Sequence, residues 1–155
     1  MFNINDVNFR KLSVEDLQNG YLELLSNLTS CNLNINKEDL INRYNDIEKS
    51  DIIEIIVGVY NKNIISSVTL IFEKKFIRNL GIVCHVEDFV IHPEYQKLKI
   101  GSKLSELIKQ KAKENNCYKI ILDCSEDVKD FYIKQGYVQK SLGMALYINN
   151  NSNTK

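Results

Sequence analysis

The sequence predicts an α+β fold: a mixed sheet carrying helices on both faces. Three observations carry this. Consecutive β-branched runs fill the middle of the chain, between residues 52 and 91. Helical apolar spacing precedes them. After residue 100 the pattern alternates helix, strand, helix, strand, so a crossover helix follows a run of strands.

A first strand is expected from about Val7 to Leu12. Ser13-Val14-Glu15-Asp16 then reads as an N-cap with acids in the first turn. Leu17, Tyr21, Leu24, Leu25 and Leu28 follow at helical spacing and predict a helix to about Leu28. A second helix fits Lys37 to Lys49, with Leu40, Ile41, Tyr44 and Ile47 inward. IIEIIVGVY (52–60) and IISSVTLIF (64–72) are strands joined by a hairpin turn at Asn61-Lys62-Asn63. IVCHVEDFVI (82–91) is another strand, closed by the single proline, Pro93, and carrying two acids in its middle. Leu104, Leu107, Ile108 and Ala112 mark a helix. YKIILDC (118–124) is a strand, Asp127 to Gln135 a short helix, and Tyr137 to about Ile148 a final strand. Residues 1–148 read as a single domain. The polar remainder, 149–155, lacks apolar periodicity and is expected to be a disordered tail.

A chain of 155 residues, 44% hydrophobic, can bury a core without disulfides or metal. Twenty basic residues balance twenty acidic ones, which argues against a nucleic-acid binder. No apolar run is long enough to span a bilayer, so no membrane partner is expected. Cys31, Cys84, Cys117 and Cys124 form no C-x-x-C pair, which argues against a zinc site. Reduced thiols fit a cytosolic protein. Cys84 beside His85 admits a nucleophile reading, although a thiol inside an apolar strand is the commoner case. His85 and His92 lack neighbouring ligands and read as structural or solvent-facing; no metal is expected.

The stretch YQKLKIGSKL (95–104) sits between a strand and a helix. Such a loop aims backbone N–H groups and the positive end of a helix dipole at an anion, and Lys97 and Lys99 add charge. A solvated connection is the alternative. Gln96-Lys97-Leu98-Lys99-Ile100-Gly101-Ser102 resembles the Gln/Arg-x-x-Gly-x-Gly/Ala loop of the GNAT N-acetyltransferases, which holds the pyrophosphate of acetyl-CoA. Gln96 and Gly101 match; Lys99 stands at the first glycine position, where a side chain is admissible if φ stays negative.

CYKIILDCSEDVKDFYIKQGY (117–137), HVEDFVIHPEY (85–95) and IFEKKFI (71–77) are similar, in order and spacing, to the glucosamine-6-phosphate N-acetyltransferase branch of that superfamily. The resemblance implies the GNAT fold, a central mixed and mostly antiparallel sheet between helices. It implies acetyl transfer from acetyl-CoA to the amine of glucosamine 6-phosphate, feeding UDP-N-acetylglucosamine synthesis. Another amine, such as a peptide N-terminus or polyamine, and a non-catalytic acyl-CoA-binding domain are the competing readings.

By the same resemblance, the loop Gln96 to Ser102 and the backbone of Asp88, Phe89, Val90 and Ile91 hold the cofactor. Glu87 is implicated in deprotonating the amine, directly or through water; a structural ion pair is the alternative. Asp123 lies at the reacting centre, or else caps the next turn. Tyr132 takes the general-acid place near the sulfur, or else is a core aromatic. A phenol with a pKa of about 10 would give its proton to a thiolate at modest cost. Thr29, Lys75, Arg78, Glu87, Asp88, Tyr118 and Lys119 carry over as substrate contacts. Val128 replaces an asparagine that holds CoA in relatives, with Ser125 a candidate substitute. Tyr147 replaces an arginine that in some relatives reaches the phosphate across a dimer. A homodimer is expected, with the apolar segment MALYI (144–148) as an edge that a partner covers.

Overall fold

Five strands pair in chain order: β1 Asn8–Lys11, β2 Ile53–Tyr60, β3 Asn63–Lys74, β4 Ile82–Ile91 and β5 Cys117–Ile121. The first three pairings are antiparallel and β4 with β5 is parallel, the mixed and mostly antiparallel sheet expected. The structure is a computed structural model and describes residues 2–148, so the polar tail 149–155 lies outside the described residues. They divide between Leu122 and Asp123 into two units.

In the first unit the β2–β3 hairpin forms as its turn chemistry dictates. Asn61 and Lys62 both have positive φ, 47° and 67°, and Tyr60 pairs with Asn63. Two left-handed central residues match the twist of the flanking strands. Joining β4 to its parallel neighbour requires a crossover. Helix α4, Ile100–Glu114, supplies it. (The shorter helices α1 Tyr21–Leu25 and α2 Lys37–Lys49 and the four-residue turn α3 Ile77–Leu80 precede it.)

Strand alternation sends two residue sets to opposite faces. Ile56, Val68, Leu70, Phe72, Cys84 and Val86 meet Ile100, Leu104, Ile108 and Ala112 of α4, spaced four apart and all buried. On the other face Ile55, Val57, Ile64 and Val90 pack with Leu12, Leu17, Tyr21 and Leu24, flanked by Leu40, Tyr44 and Ile47 of α2. Helix α2 begins as its sequence suggests: the Asn36 side chain accepts from the Glu38 amide at 2.8 Å, with acids in the first turn and Lys49 in the last.

The helix expected from Val14 to Leu28 does not run through. Val14–Gln18 is a 3-10 turn, and Gly20, with φ 94°, breaks the chain before α1. A positive φ of that size suits glycine, so the apolar spacing continues across a break between two helical segments. The cap itself forms: the Ser13 amide donates to Asp16 at 2.8 Å, while Arg10 donates through both terminal nitrogens at 2.6 and 2.9 Å. Burial works against the Asp16 charge, but Arg10 and Ser13 outweigh it and hold the carboxyl below its ordinary range.

In the second unit, α5 Glu126–Lys134 ends in a Schellman motif. Gly136 has φ 91°, its amide donates to Ile133 O at 2.9 Å, and the Tyr137 amide donates to Tyr132 O at 3.0 Å. The predicted final strand, Tyr137 to Ile148, is not formed. Val138, Leu142, Met144, Leu146, Tyr147 and Ile148 are instead exposed. Alternation alone does not make a strand; a ladder partner is needed, and these residues have none among the described residues.

No helix among the described residues is long and apolar enough to cross a membrane.

Candidate active site

A one-residue bulge in β4 organises the site. Thr69 pairs with Glu87 and Ser67 with Val90, so Val68 faces two residues, Asp88 and Phe89. Asp88 has φ 47°, the left-handed conformation of a bulged residue. The insertion shifts the alternation by one. Cys84 and Val86 before it, and Phe89 and Ile91 after it, all pack in the α4-side cluster, while Glu87 before it and Val90 after it belong to the opposite face. Strict alternation at Glu87 and Asp88 therefore gives way to a different division: Glu87 keeps its face and Asp88 is the extra residue. Both are exposed.

The ladder with β5 stops at the pair His85–Ile121, whereas β4 continues to Ile91. Past that point the β5-side edge of β4 carries amides and carbonyls that β5 does not take up. An extended ligand with amide groups of its own can dock along such an edge as an added strand does.

Beyond β4 the chain makes a 3-10 turn, Pro93–Tyr95, and enters α4 through the predicted anion loop. Lys97 and Lys99 have φ 63° and 66°. The condition on which a side chain at Lys99 is admissible, a negative φ, is not met: the position has a left-handed backbone, and lysine adopts it at a cost of about 1 kcal/mol or more. Lys99 is the N-cap, and Ile100 and Gly101 open the helix buried. The first amides of an α-helix have no acceptor within it, and here Gln96, Lys97, Leu98 and Lys99 lead into that helix start at Ile100, Gly101 and Ser102, with two lysines on the approach.

The face bearing Glu87 is polar toward the β4–β5 side. Cross-strand pairs place Thr69 beside Glu87, Glu73 beside Val83, and Val83 beside Lys119, so Thr69, Glu73, His85, Glu87 and Lys119 share one side of the sheet. His85 Nε2 lies 2.7 Å from Glu73 Oε2, and Lys75 Nζ pairs with Glu73 Oε1. Lys75 first, then His85, hold the Glu73 carboxyl below its ordinary range. Reading His85 as merely structural or solvent-facing missed this pairing. Its signal was the i, i+2 spacing from Glu87, which sets both on one face. A Cys84 nucleophile is ruled out, since burial pushes that thiol up to about 12 and Cys84 packs on the α4 side.

Among the carried-over substrate contacts, Lys75 and Lys119 border this face, while Thr29 is exposed after α1. Arg78 belongs to α3, where Arg78, Asn79 and Leu80 all have positive φ, 56°, 53° and 60°. Tyr118 is the extra residue of a second bulge, since Ile82 pairs with Cys117 and Val83 with Lys119. Its ring occupies the space a side chain at Gly81 would need, 2.8 Å from an added Cβ, and Lys119 Nζ stands 5.8 Å from its centroid.

In the second unit Asp123 lies against the segment that follows α5, its Oδ1 3.4 Å from where a Cβ on Gly143 would stand. Tyr132 packs edge-on to Phe131 and Tyr137, with centroids 5.0 and 5.6 Å apart. The Tyr137 contact is the apolar clasp of the Schellman motif, so the helix end that Gly136 permits also sets this ring. Burial, followed by Cys124 and Tyr137, pushes the Tyr132 phenol up to about 12, above the ordinary value assumed from sequence. Ser125 is hydrogen-bonded to Asp127, holding that carboxyl below its usual range.

The class is set by the family match: residues 21–137 match the family described as Acetyltransferase (GNAT) family. The chain is 40% identical over 145 residues to glucosamine 6-phosphate N-acetyltransferase 1 of Dictyostelium discoideum, covering 92% of this chain and 91% of that one. It is 38% identical to the Candida albicans glucosamine 6-phosphate N-acetyltransferase, covering 83% and 87%. A crystal structure of glucosamine-6-phosphate N-acetyltransferase from Arabidopsis thaliana superposes with a TM-score of 0.87 at 34% identity, covering 92% of this chain and 99% of that one. The protein belongs to the GNAT acetyltransferase family and, within it, to the branch formed by these glucosamine 6-phosphate N-acetyltransferases.

Proposed function

We propose that the protein transfers the acetyl group of acetyl-CoA to the amine of D-glucosamine 6-phosphate, giving N-acetyl-D-glucosamine 6-phosphate and CoA on the route to UDP-N-acetylglucosamine. The observation that carries the reading is the Asp88 bulge in β4, lying beyond the last β5 pair and leading into the α4 amides. It joins a docking edge for a pantetheine arm to an anion site for a diphosphate. The full-length likeness to glucosamine 6-phosphate N-acetyltransferases supplies the acceptor.

In this reading Glu87 takes a proton from the bound ammonium, directly or through water. The freed nitrogen forms a bond to the thioester carbonyl carbon, and a β4 amide near Asp88 receives the oxyanion. When the carbon–sulfur bond breaks, the sulfur carries the electron pair away, and the attacking nitrogen gives up its second proton to the thiolate or to water, leaving the neutral amide. Tyr132 donates a hydrogen bond to the departing sulfur, and Asp123 orients the amine. Lys75, Arg78, Tyr118, Lys119 and Thr29 hold the sugar phosphate. The two left-handed lysines and the Val128 substitution leave acetyl-CoA binding dependent chiefly on backbone amides.

Assays of acetyl transfer to glucosamine 6-phosphate, glucosamine and a peptide amine test the proposal. A preference of about 10²-fold or more in kcat/KM for the phosphorylated sugar is expected, since a phosphate engages charge-assisted contacts that glucosamine lacks. Equal rates with and without the phosphate would favour another amine, and CoA binding without turnover would favour a binding module.

The proposal includes a homodimer in the cytosol. The exposed apolar residues from Val138 to Ile148 form a surface that a second copy would cover, and the four free thiols suit a reducing compartment. Light scattering at micromolar concentration should give twice the chain mass; a monomer mass would remove the dimer.

A further inference from the structure

We infer that Glu73 is a positioning residue that holds Lys75 ready for the sugar phosphate, with His85 as the anchor that holds Glu73. The inference rests on the functional reading above and deepens it. Glu73 lies near the end of β3 on the Glu87 face, and both its oxygens are taken, one by Lys75 Nζ and one by His85 Nε2 at 2.7 Å. A carboxylate held at one oxygen can swing; held at both, it cannot. The His85 contact spans twelve residues of sequence, and the antiparallel register that pairs Glu73 with Val83 creates it.

Lysine is a flexible four-carbon stem that gives up much rotamer freedom when it fixes a ligand. Clamped to Glu73, Lys75 surrenders that freedom on folding rather than on binding. Its ammonium has three donors. One goes to Glu73, and the others can meet a phosphate, so the acid positions the lysine without using it up. Lys75 also stands at the turn into α3, where its amide donates to Gly81 O at 2.9 Å, so its backbone is fixed as well as its tip.

Steady-state kinetics on the full chain test this with Glu73→Gln, His85→Asn, Lys75→Met and the double variant Glu73→Gln/Lys75→Met. Glu73→Gln should raise the KM for glucosamine 6-phosphate about tenfold, the equivalent of one charge-assisted contact, with kcat and the KM for acetyl-CoA within about twofold. Rates on unphosphorylated glucosamine should not change. His85→Asn should give the same selective effect, about threefold. In the Lys75→Met background Glu73→Gln should cost nothing further, because its action passes through that lysine.

An unchanged or lowered KM in Glu73→Gln would overturn the inference, a lowered one showing that the acid competes with the phosphate. So would an equal loss in both backgrounds, or parallel losses on both sugars with a lowered melting temperature. These outcomes count against Glu73 alone when the parent protein prefers the phosphorylated sugar. A parent with no such preference removes the functional reading and the inference with it.

Discussion

Replacing Tyr132 with Phe should lower kcat about 10²-fold, the usual cost of deleting one donor aimed at developing charge, while the KM for acetyl-CoA stays within about twofold. The phenol is partly buried between Phe131 and Tyr137, and burial pushes it up to about 12. A departing thiolate has a conjugate acid near about 8.5. Complete proton transfer between them would run uphill by roughly 3.5 units, or about 5 kcal/mol. In the proposed reaction Tyr132 would therefore act by donating a hydrogen bond that strengthens as the sulfur gains charge, not by surrendering its proton. Its role should be lost only as pH rises through about 12, so its contribution should be flat across the neutral range. Single-turnover rates of the two proteins from pH 6 to pH 9 measure this. An unaltered chemical rate in the Phe variant would return Tyr132 to a packing role beside Tyr137.

Glu87→Gln should reduce kcat/KM for glucosamine 6-phosphate by about 10² to 10³-fold near neutral pH, the range for a lost general base. The physical need is plain: an ammonium has no lone pair with which to attack. Glu87 sits immediately before the bulged Asp88, exposed, on the face that also carries His85 and Lys119. The amide keeps the shape and removes the base. The defect should shrink as pH rises past the amine's own pKa, because an amine already neutral no longer needs a base. A defect of constant size across the pH range would mean that Glu87 binds the sugar without accepting its proton.

Elements governed by local rules were legible in the sequence. Ser13 and Asp16 form the cap that their spacing announces, Asn61-Lys62 turns the hairpin, and Leu104, Ile108 and Ala112 line the buried stripe of α4. The strand carrying Glu87 and the loop before α4 lie where the sequence puts them, because Pro93 closes the apolar run and the helical spacing that includes Leu104 and Ile108 marks the helix after it.

What escaped depends on pairing across the sheet. The bulge at Asp88 exists only relative to β3, where Val68 faces two residues; no property of Asp88 itself announces it. The positive φ at Lys99 was hidden because glycine, the usual marker of that backbone, is absent there. Glu73 and His85 meet through antiparallel register, so a reading along the chain sees only a strand acid and an unremarkable histidine. The final strand was the reverse error, with apolar alternation from Tyr137 to Ile148 present and no ladder partner among the described residues to complete it.

A crystal structure of the protein soaked with CoA tests the central claim most directly. The account predicts the diphosphate within hydrogen-bond reach of the amides opening α4 at Ile100, Gly101 and Ser102, and the pantetheine arm paired along β4 from Asp88 to Ile91. A diphosphate seated away from that helix start, or an arm that leaves the β4 edge untouched, would contradict it.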